Sequence, residues 1–224
     1  MSTVQGGPSG IITDSLILRL EAGNTRSYTP GSGTWYDLSP SGFHASIMNS
    51  PTYDSSNGGS LVFNGTNQYA TGSVSANYYT LQTYTFNIWA YRSNTGYYVN
   101  FRGPTWFPWM SVGGFSSPLQ FNDIYDPLNV DGGYPRTAPL NQWFNFCGVQ
   151  TATSQTIYVN GEYRKTLSVP SVSIYDLGQV YTIGSAAQTG YLSGKISSVC
   201  VYKRSLSQTE VTQNYNAMRR RFSM

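Results

Sequence analysis

Apolar and polar residues alternate in short runs along most of the chain. In the run "YTFNIWAY", the residues Phe86, Ile88 and Ala90 fall on one face of an extended chain, and the opposite face is aromatic and polar. A period of two is typical of a β-strand, because successive side chains point to opposite sides of a sheet. This run predicts a strand that belongs to a sandwich.

Turn-forming residues separate these runs. Asn160-Gly161 lies between two strand-like runs and predicts a hairpin, because a type I′ turn requires a positive φ at both central positions. Ile157 and Val159 are then expected to point into the core. Clusters of Gly, Pro, Ser or Asn also bound the candidate strands "DSLILRLEA", "SLVFNG", "QWFNFCGVQ", "QVYTIGSA" and "KISSVCVYK". Such spacing predicts antiparallel sheets.

Only the C-terminal segment has a helical pattern. Ser207 and Glu210 have the spacing of a capping box, and Leu206 and Val211 can form the hydrophobic staple around it. A short helix that begins at about Gln208 is expected to pack beside the sandwich.

A chain of 224 residues suits one domain with one core. The first dozen residues have no periodicity, which is typical of an arm that is loose or ordered by a partner. We therefore divide the chain into an N-terminal arm (residues 1–13), a β-sandwich (14–204) and a C-terminal helix with a basic tail (205–224) packed on the same domain. The predicted fold class is all-β, with two antiparallel sheets and a short C-terminal helix.

Composition narrows the range of partners. Only 10% of the residues are charged and 15% are aromatic, which disfavours a disordered chain. The net charge is only +3, and the one basic cluster, Arg219–Arg221, is expected to meet the negative end of the helix dipole rather than a nucleic acid. No apolar run approaches the roughly 20 residues of a membrane helix. The start "MSTVQGGPSG" lacks the pattern of a secretory signal, so we expect synthesis in the cytoplasm without a signal peptide.

The two cysteines, Cys147 and Cys200, lie in separate apolar runs. This spacing indicates neither a disulfide framework nor a zinc site, and favours buried or edge-strand thiols. A single disulfide between adjacent strands stays open as an alternative.

Several segments together resemble the laminin G-like, concanavalin A-type jelly-roll family. They are the Trp-x-Asp-Leu-Ser stretch at Trp35–Ser39, "SLVFNGTNQYA", "TFNIWAY", the Val-Asn-Gly hairpin, and the closing strand and helix "SGKISSVCVYKRSLSQTEVTQNYNA". They occur in the order of the family and cover most of the chain. The resemblance implies a two-sheet jelly roll.

The chain departs from this family at its acidic positions. "SLVFNGTNQYA" resembles a hairpin of the family in which Asn64 and Gln68 stand where carboxylates are usual, and Ser197 stands where related calcium-bearing sandwiches have an Asp ligand. Calcium prefers several oxygen ligands with carboxylates among them. We therefore predict no calcium at this position, no other metal, and no cofactor.

Glycoside hydrolases of this general fold resemble Glu-x-Asp-x-x-Glu on one strand, because their chemistry needs two carboxylates at a fixed spacing. The glutamates of this chain are widely separated and form no such motif: Glu21, Glu162 and Glu210. Asp123 and Asp126 are close in sequence but lie in a loop-like segment where Asp is a turn former. We therefore predict that the protein is not an enzyme.

Two further polar features have structural interpretations that we prefer. Asp126, Asn129 and Asp131 form a partial oxygen-ligand pattern, but nothing in the sequence supplies the remaining ligands of a cation. His44 is the sole histidine, and nucleophilic catalysis would need it beside an activated Ser or Cys and an orienting acid. A structural role is expected for His44.

The segment "YYVNFRGPTWFPWM" has the most unusual composition of the chain. Its candidate ligand-binding residues are Tyr97, Tyr98, Arg102, Trp106 and Trp109. Aromatic rings offer a large contact area to a sugar ring or a protein interface, and Arg adds directional donors. The alternative is that one or both Trp fill the core beneath the loop.

The fold alone leaves the function open, because one sandwich hosts many activities. Our first hypothesis is a non-enzymatic virion structural or adhesion protein, since laminin G-like sandwiches similar to this one occur on phage particles as capsid decoration, fibre or tail proteins. The lack of an export signal and the aromatic, charge-poor composition, which suits contacts between subunits, favour it.

On this hypothesis the protein lies at the particle surface. Its partners are other virion proteins and further copies of itself in a homo-oligomer, with a cell-surface glycan as a further partner. The alternative function is a carbohydrate-binding lectin module that recognises a polysaccharide through loop aromatics. Nucleic acid and membrane are not expected as partners.

Overall fold

The computed structural model describes residues 10–75, 83–93, 96–102, 109–112, 119–121, 124–125, 130–131, 134–135, 141–168, 180–186 and 190–224. Its strands, in chain order, are β1 (Leu16–Glu21), β2 (Thr34–Trp35), β3 (Ala45–Met48), β4 (Thr52–Asp54), β5 (Ser60–Asn64), β6 (Tyr69–Ser73), β7 (Tyr84–Arg92), β8 (Gly96–Arg102), β9 (Trp109–Val112), β10 (Leu119–Phe121), β11 (Ile124–Tyr125), β12 (Val130–Asp131), β13 (Tyr134–Pro135), β14 (Trp143–Gln150), β15 (Ser154–Val159), β16 (Glu162–Ser168), β17 (Val180–Ile183) and β18 (Ser193–Tyr202). The helix α1 (Gln208–Met218) follows β18 and continues into a 3-10 turn at Arg219–Phe222; another 3-10 turn lies at Ser56–Gly58.

These strands form two antiparallel sheets that pack face to face. The first sheet has the order β16-β15-β14-β7-β18-β5-β4, and β1 also pairs with β18, beyond the segment that pairs with β5. The second sheet has the order β11-β10-β9-β8-β17-β6-β3-β2, and β12 pairs with β13 separately. The predicted two-sheet antiparallel sandwich with a short C-terminal helix is confirmed.

The core lies between the two sheets. Phe86, Ile88 and Ala90 of β7 are fully buried there, as the alternation along this strand predicts. The second sheet contributes Phe101, whose ring lies 5.1 Å from the ring of Phe86, measured between centroids. Burial of a large apolar side chain contributes about 1.5–3 kcal/mol, so these facing rings hold the two sheets together.

The segment from Asn64 to Gln68 is a turn, but it is not the turn of a hairpin. Strand β5 before it pairs within the first sheet, and β6 after it pairs within the second. The Asn64 side-chain oxygen accepts hydrogen bonds from the backbone N–H groups of Thr66 and Asn67, at 2.9 and 3.2 Å. Gly65, which lies between Asn64 and Thr66, has a positive φ of 74°. The amide side chain therefore stabilises a tight crossing between the sheets, which corrects the hairpin prediction.

The hairpin at Asn160-Gly161 is confirmed. These residues connect β15 to β16 and have positive φ values of 54° and 75°. Ile157 and Val159 are buried in the core, as predicted. A Cβ atom at Gly161 would lie 2.9 Å from the Tyr215 ring, so the absence of a side chain also lets α1 approach this turn.

The C-terminal helix covers the side of the first sheet that points away from the core. Trp89 of β7 stacks on Phe222, with ring centroids 4.2 Å apart, and on Tyr215, at 5.7 Å. Trp143 of the neighbouring β14 contacts the same Phe222 ring at 4.7 Å. The non-core face of β7, which the sequence describes as aromatic and polar, is thus a second packing surface.

The capping box that the sequence predicts is present. The Ser207 hydroxyl accepts from the Glu210 backbone N–H, and the Glu210 carboxylate accepts from the Ser207 backbone N–H. Leu206 and Val211 are buried together, as a hydrophobic staple requires. The Glu210 carboxylate also pairs with Arg204 at 2.6 Å. This hydrogen bond is the main reason why the pKa of Glu210 is lowered from 4.5 to about 2.

Residues 10–13 of the predicted arm pack on the sandwich and α1, while residues 1–9 lie outside the described residues. The Ile12 backbone N–H donates to the Asn214 side-chain oxygen at 2.7 Å, and the Tyr202 hydroxyl donates to the Ile12 carbonyl at 3.0 Å. The Gln213 amide donates to the Gly10 carbonyl at 2.8 Å. The last residues of the arm therefore complete the cover over the first sheet.

The two cysteines do not form a disulfide. Cys147 on β14 and Cys200 on β18 pair with Asn87 from opposite sides of β7. Strands spaced two apart lie about 10 Å from each other, beyond the Cα separation that a disulfide allows. Both thiols are free and buried, and burial raises the pKa of Cys200 to about 12. The alternative of a cross-strand disulfide is therefore wrong.

Replacing Phe222, whose ring packs the C-terminal segment against the first sheet, tests the packing of this segment. We expect Phe222→Ala to lower the free energy of unfolding by about 3 kcal/mol, because it removes a buried ring between two indoles. Urea denaturation followed by Trp fluorescence measures the change. The control is Met224→Ala, at a side chain that is 36% exposed, with an expected change below about 0.5 kcal/mol. A similar small change in Phe222→Ala would contradict the packing.

The lowered pKa of Glu210 predicts a pH-dependent contribution to stability. A carboxylate whose pKa is lower in the folded state stabilises the fold above the pKa of the unfolded state, and this contribution is lost as pH falls through the folded pKa. We expect Glu210→Gln to cost about 1 kcal/mol at neutral pH. The difference from the unmodified protein should shrink as the pH falls from 4.5 to about 2.

Urea titrations across this pH range measure the Glu210 effect. Glu162→Gln is the control, because its ion pair with Arg164 spans 3.6 Å and its carboxylate is mostly exposed. A constant difference between Glu210→Gln and the unmodified protein at every pH would show that the carboxylate charge is not responsible.

Candidate ligand-binding site

The outer face of the second sheet, which is the side that points away from the core, is the candidate surface for binding a ligand. The corresponding side of the first sheet lies beneath α1 and residues 10–13. When both sides of one sheet are buried, the broad surface that can contact a partner belongs to the other sheet.

Cross-strand pairing defines a row of residues on the outer face. The row runs across the sheet from β2 to β9 and consists of Thr34, Ser46, Thr71, Thr182, Asn100 and Trp109. Residues that pair directly in neighbouring strands belong to the same face. The adjacent residues Ala70, Val99 and Ile183 lie in the core, which assigns the row to the outer face.

A β-bulge in β8 brings three of the predicted site residues onto this face. Tyr97 pairs with Ser111 and Asn100 pairs with Trp109, so one extra residue is accommodated between these pairs. Without the bulge, Tyr97 and Asn100 would belong to opposite faces, because the period of a strand is two. Arg102 pairs with Val180 and follows Asn100 on the same face. The backbone register thus gathers Tyr97, Arg102 and Trp109.

Tyr98 takes the opposite position. It is fully buried, and its ring meets Phe144 of the first sheet edge to face, with centroids 5.7 Å apart. Burial raises the pKa of its hydroxyl well above the usual range. The expectation that Tyr98 contacts a ligand is therefore corrected, because the bulge turns this residue into the core. Trp106 and the side chains of Tyr97, Arg102 and Trp109 lie outside the described residues.

Along the row on the outer face, the described side chains are accessible on β3 and β6 and buried on β17 and β8. Ser46 and Ser73 are exposed and Thr71 is half-buried, whereas Thr182 and Asn100 are buried. Where the structure describes side chains on this face, none belongs to Asp, Glu, Lys or Arg. The accessible part therefore offers hydroxyl groups without a strong electric field.

An aromatic pair extends this open part and was missed by the sequence analysis. Tyr36 and His44 continue the register of Thr34 and Ser46, and their rings lie 5.2 Å apart in an edge-to-face arrangement. Tyr36 is 47% exposed, and His44 is also exposed. The sequence signal was the alternation around buried Trp35, which assigns Tyr36 to the outer face.

The position of His44 is set by the loop that connects β2 to β3. Its Nδ1 atom accepts a hydrogen bond from the Asp37 backbone N–H at 3.0 Å, so the neutral ring carries its proton on Nε2. The Asp37 carboxylate accepts from the backbone N–H groups of Arg19, Ser39 and Phe43. This carboxylate fixes the loop, and His44 combines a structural bond with an exposed aromatic surface.

The carboxylates whose side chains the structure describes are engaged in ion pairs or hydrogen bonds: Asp14, Glu21, Asp37, Asp54, Glu162 and Glu210. The Lys195 hydrogen bond lowers the pKa of Asp54 to about 2. Within the described part of the chain, no three His, Cys, Asp or Glu residues gather as metal ligands would. Asp123, Asp126 and Asn129, and the side chain of Asp131, lie outside the described residues.

The position at which related sandwiches hold calcium carries a fixed positive charge here. The Ser197 hydroxyl donates to the Gly59 carbonyl at 2.8 Å and lies 3.2 Å from an Arg221 guanidinium nitrogen. A guanidinium repels a divalent cation at this distance. The structure thus adds a physical reason for the prediction that calcium does not bind at Ser197.

Several solved structures of similar fold are binding domains. The binding domain of botulinum neurotoxin serotype D matches with a TM-score of 0.63 and 13% identity over 91% of this chain and 52% of that one. The type G receptor-binding domain matches with a TM-score of 0.60 and 16% identity over 90% of this chain. This chain therefore spans about half of those domains, 52% and 51%.

Another similar structure, in which the match covers most of both chains, is domain 4 of AbnA, a GH43 extracellular arabinanase from Geobacillus stearothermophilus, in complex with arabinotriose. Its TM-score is 0.61 and its identity is 14%, over 90% of this chain and 98% of that chain. No curated protein sequence matches the chain. In the described part of the structure, no helix has the length and apolarity needed to cross a membrane.

The family is given by the sequence match. Residues 63–212, more than half of the chain, match the model of the concanavalin A-like lectin/glucanases superfamily. This range begins in β5 and ends in α1, so it includes β6, β8, β9 and β17 of the outer face together with the bulge, whereas β2 and β3 precede it. The chain belongs to the concanavalin A-like lectin/glucanases superfamily, with the fold of a lectin-like binding domain.

Proposed function

We propose that the protein is a non-enzymatic adhesion module that binds a polysaccharide through the outer face of the second sheet. The observation that carries this proposal is the exposed Tyr36–His44 pair beside the neutral hydroxyl groups of Ser46 and Thr71. A sugar ring presents C–H groups to an aromatic face and hydroxyls to polar side chains. The pair and its neighbours supply both types of contact.

The register of β8 and β9 supports a second contact region on the same face. Tyr97, Arg102 and Trp109 gather towards the opposite end of the row from Tyr36. Five strand spacings separate β2 from β9, which corresponds to about 24 Å across the sheet. A polymer that contacts both ends must be several sugar units long, which favours a polysaccharide over a single sugar.

Two similar structures support a glycan as the ligand class. Domain 4 of the arabinanase was solved with arabinotriose, and a neurotoxin binding domain was solved with SialylT. Another neurotoxin binding domain was solved with the protein rat synaptotagmin II. A protein receptor is therefore the second candidate partner for this fold.

The proposal of a non-enzymatic role rests on the carboxylates. Glycoside hydrolysis needs two carboxyl groups that flank one bond, and the described carboxylates serve instead in salt bridges, loop hydrogen bonds and the helix cap. Glu21 is held between two arginines, and Asp37 is saturated by hydrogen bonds from its own loop and from β1. These groups stabilise the fold.

We further propose that the module acts at the surface of a virus particle, assembled with other virion proteins and with copies of itself. A charge content of 10% beside an aromatic content of 15% supports this, since subunit interfaces are enriched in aromatic residues and depleted of Lys and Glu. Exposed Tyr163, at 55%, lies on the edge strand β16 of the first sheet, where a second copy can be accommodated.

Removing the aromatic surfaces tests polysaccharide binding. We expect the protein to bind at least one polysaccharide on a glycan array, and Tyr36→Ala and Trp109→Ala each to weaken the binding by at least about tenfold. Binding should persist in the presence of a calcium chelator, because Ser197, Asn64 and Gln68 bring no carboxylate.

Met224→Ala is the control for this experiment, since it removes an exposed apolar side chain beside the helix that covers the first sheet. Its glycan binding should equal that of the unmodified protein. Binding that is unaffected by Tyr36→Ala and Trp109→Ala would move the site away from the outer face. If the protein bound no glycan of the array, a protein receptor would be favoured.

The oligomeric state tests the proposed assembly. Native mass spectrometry at micromolar concentration is expected to show a homo-oligomer, and Tyr163→Ala is expected to shift it towards the monomer. A stable monomer that binds glycans would support a lectin that acts alone and would contradict self-assembly.

A further inference from the structure

A cavity lies on the side of the sandwich away from the outer face. It opens between residues 10–13 and the end of α1, above β1 of the first sheet, and its volume is about 340 Å³. Ligand pockets begin at about 300 Å³, so the space suits a molecule of the size of a monosaccharide or an amino acid. Neither the row on the second sheet nor the Tyr36–His44 pair contributes to it.

The floor of this cavity carries an excess of positive charge. Arg19 and Glu21 belong to β1, and Arg221 comes from the turn after α1. The two oxygens of Glu21 are each bound by one guanidinium, at 2.8 Å from Arg19 and 2.8 Å from Arg221. One carboxylate facing two guanidinium groups leaves a net charge of one positive unit.

Arg19 and Arg221 differ in the use of their donors. Arg221 also donates to the Gly58 carbonyl at 2.9 Å and to the Ser197 hydroxyl at 3.2 Å, so its guanidinium is fixed by the protein. Arg19 uses only Nη2, towards Glu21, and among the described residues its Nε and Nη1 donors have no protein partner. Its side chain is 29% exposed. Unused N–H donors on a partly buried guanidinium favour an anionic acceptor.

The walls of the cavity are mainly apolar. Ile11 lies on one side, and Ala217 and Met218 lie on the other. Thr13, which carries a hydroxyl group, also lines the cavity. A ligand that fills the space therefore combines one anionic group with a carbon skeleton. The single excess positive charge of the floor matches a monoanion better than a doubly charged phosphate or sulfate.

We propose that this cavity binds a small monocarboxylate, with its carboxylate on the free donors of Arg19 and its carbon skeleton against Ile11, Ala217 and Met218. Two sources share this chemistry, namely an acidic sugar such as a uronic acid unit and a free aliphatic acid. The site is independent of the polysaccharide surface, because the two lie on opposite sides of the sandwich.

The test uses the full chain labelled at the methionine methyl groups and observed by NMR. Met218 lines the cavity, while Met48 lies on β3 of the second sheet and serves as an internal reference. Glucuronate and isovalerate represent the two sources, and glucose and isovaleramide are their uncharged counterparts. We expect a carboxylate to shift the Met218 resonance with saturation, at least about tenfold more tightly than its uncharged counterpart, and to leave Met48 unchanged.

Three variants assign the binding to the arginine. Arg19→Gln should weaken carboxylate binding by at least about tenfold, since it removes the charged donors. Glu21→Gln should strengthen it, because the competing carboxylate is neutralised. Arg220→Gln is the control, at an exposed residue beside Arg221 that does not line the cavity, and should bind like the unmodified protein.

The Met48 resonance reports in each variant whether the fold is intact. Binding of glucuronate alone would identify the acidic sugar as the source, and binding of isovalerate alone would identify the aliphatic acid. Equal affinity for the charged and uncharged members of both pairs would overturn the proposal. Unchanged carboxylate binding in a folded Arg19→Gln protein would also overturn it. Neither result depends on whether polysaccharide binds to the outer face.

Discussion

Burial of both faces of the first sheet is the constraint on which the rest of the structure depends. Strands β7, β14 and β18 have buried residues at nearly every position, and Trp89 and Trp143 lie on the side away from the core. An uncovered surface of this kind would be a large apolar patch, which soluble monomers rarely expose. The C-terminal helix is therefore an integral part of the fold, because Phe222 and Tyr215 cover the two indoles.

Ion pairs hold the C-terminal helix on the first sheet at both of its ends, and they concentrate the charged side chains there. Glu210 at the start of α1 pairs with Arg204, which also pairs with Asp14, and Arg221 after α1 reaches Glu21. Many of the described ion pairs thus lie beside the first sheet and its cover, whereas the described side chains on the open part of the outer face are hydroxyl and aromatic groups. This asymmetry separates the charged cavity from the Tyr36–His44 pair and its neighbouring hydroxyl groups, and gives the two proposed sites different ligand chemistries.

The sequence predicted those features that depend on neighbouring residues. Asn160-Gly161, the capping box at Ser207, and the core face of Phe86 follow from local φ preferences, hydrogen bonding and alternation, and these features are confirmed. The partner of a strand is a long-range property, which explains the correction at Asn64: the turn is local, but the two strands that it joins belong to different sheets. For the same reason the separation of Cys147 from Cys200 by β7 could not be derived from either run alone.

The candidate site shows how little is needed to change such a prediction. A strict alternation along β8 would assign Tyr98 and Arg102 to one face and Tyr97 to the other, yet the single bulge turns Tyr98 into the core and brings Tyr97 to the side of Arg102. The bulge is visible only in the pairing with β9. Composition identified the segment, but the register decides which of its residues can meet a ligand. The Tyr36–His44 pair was missed for the complementary reason: His44 stands out in the sequence as the sole histidine, but it meets Tyr36 only through the pairing of β2 with β3.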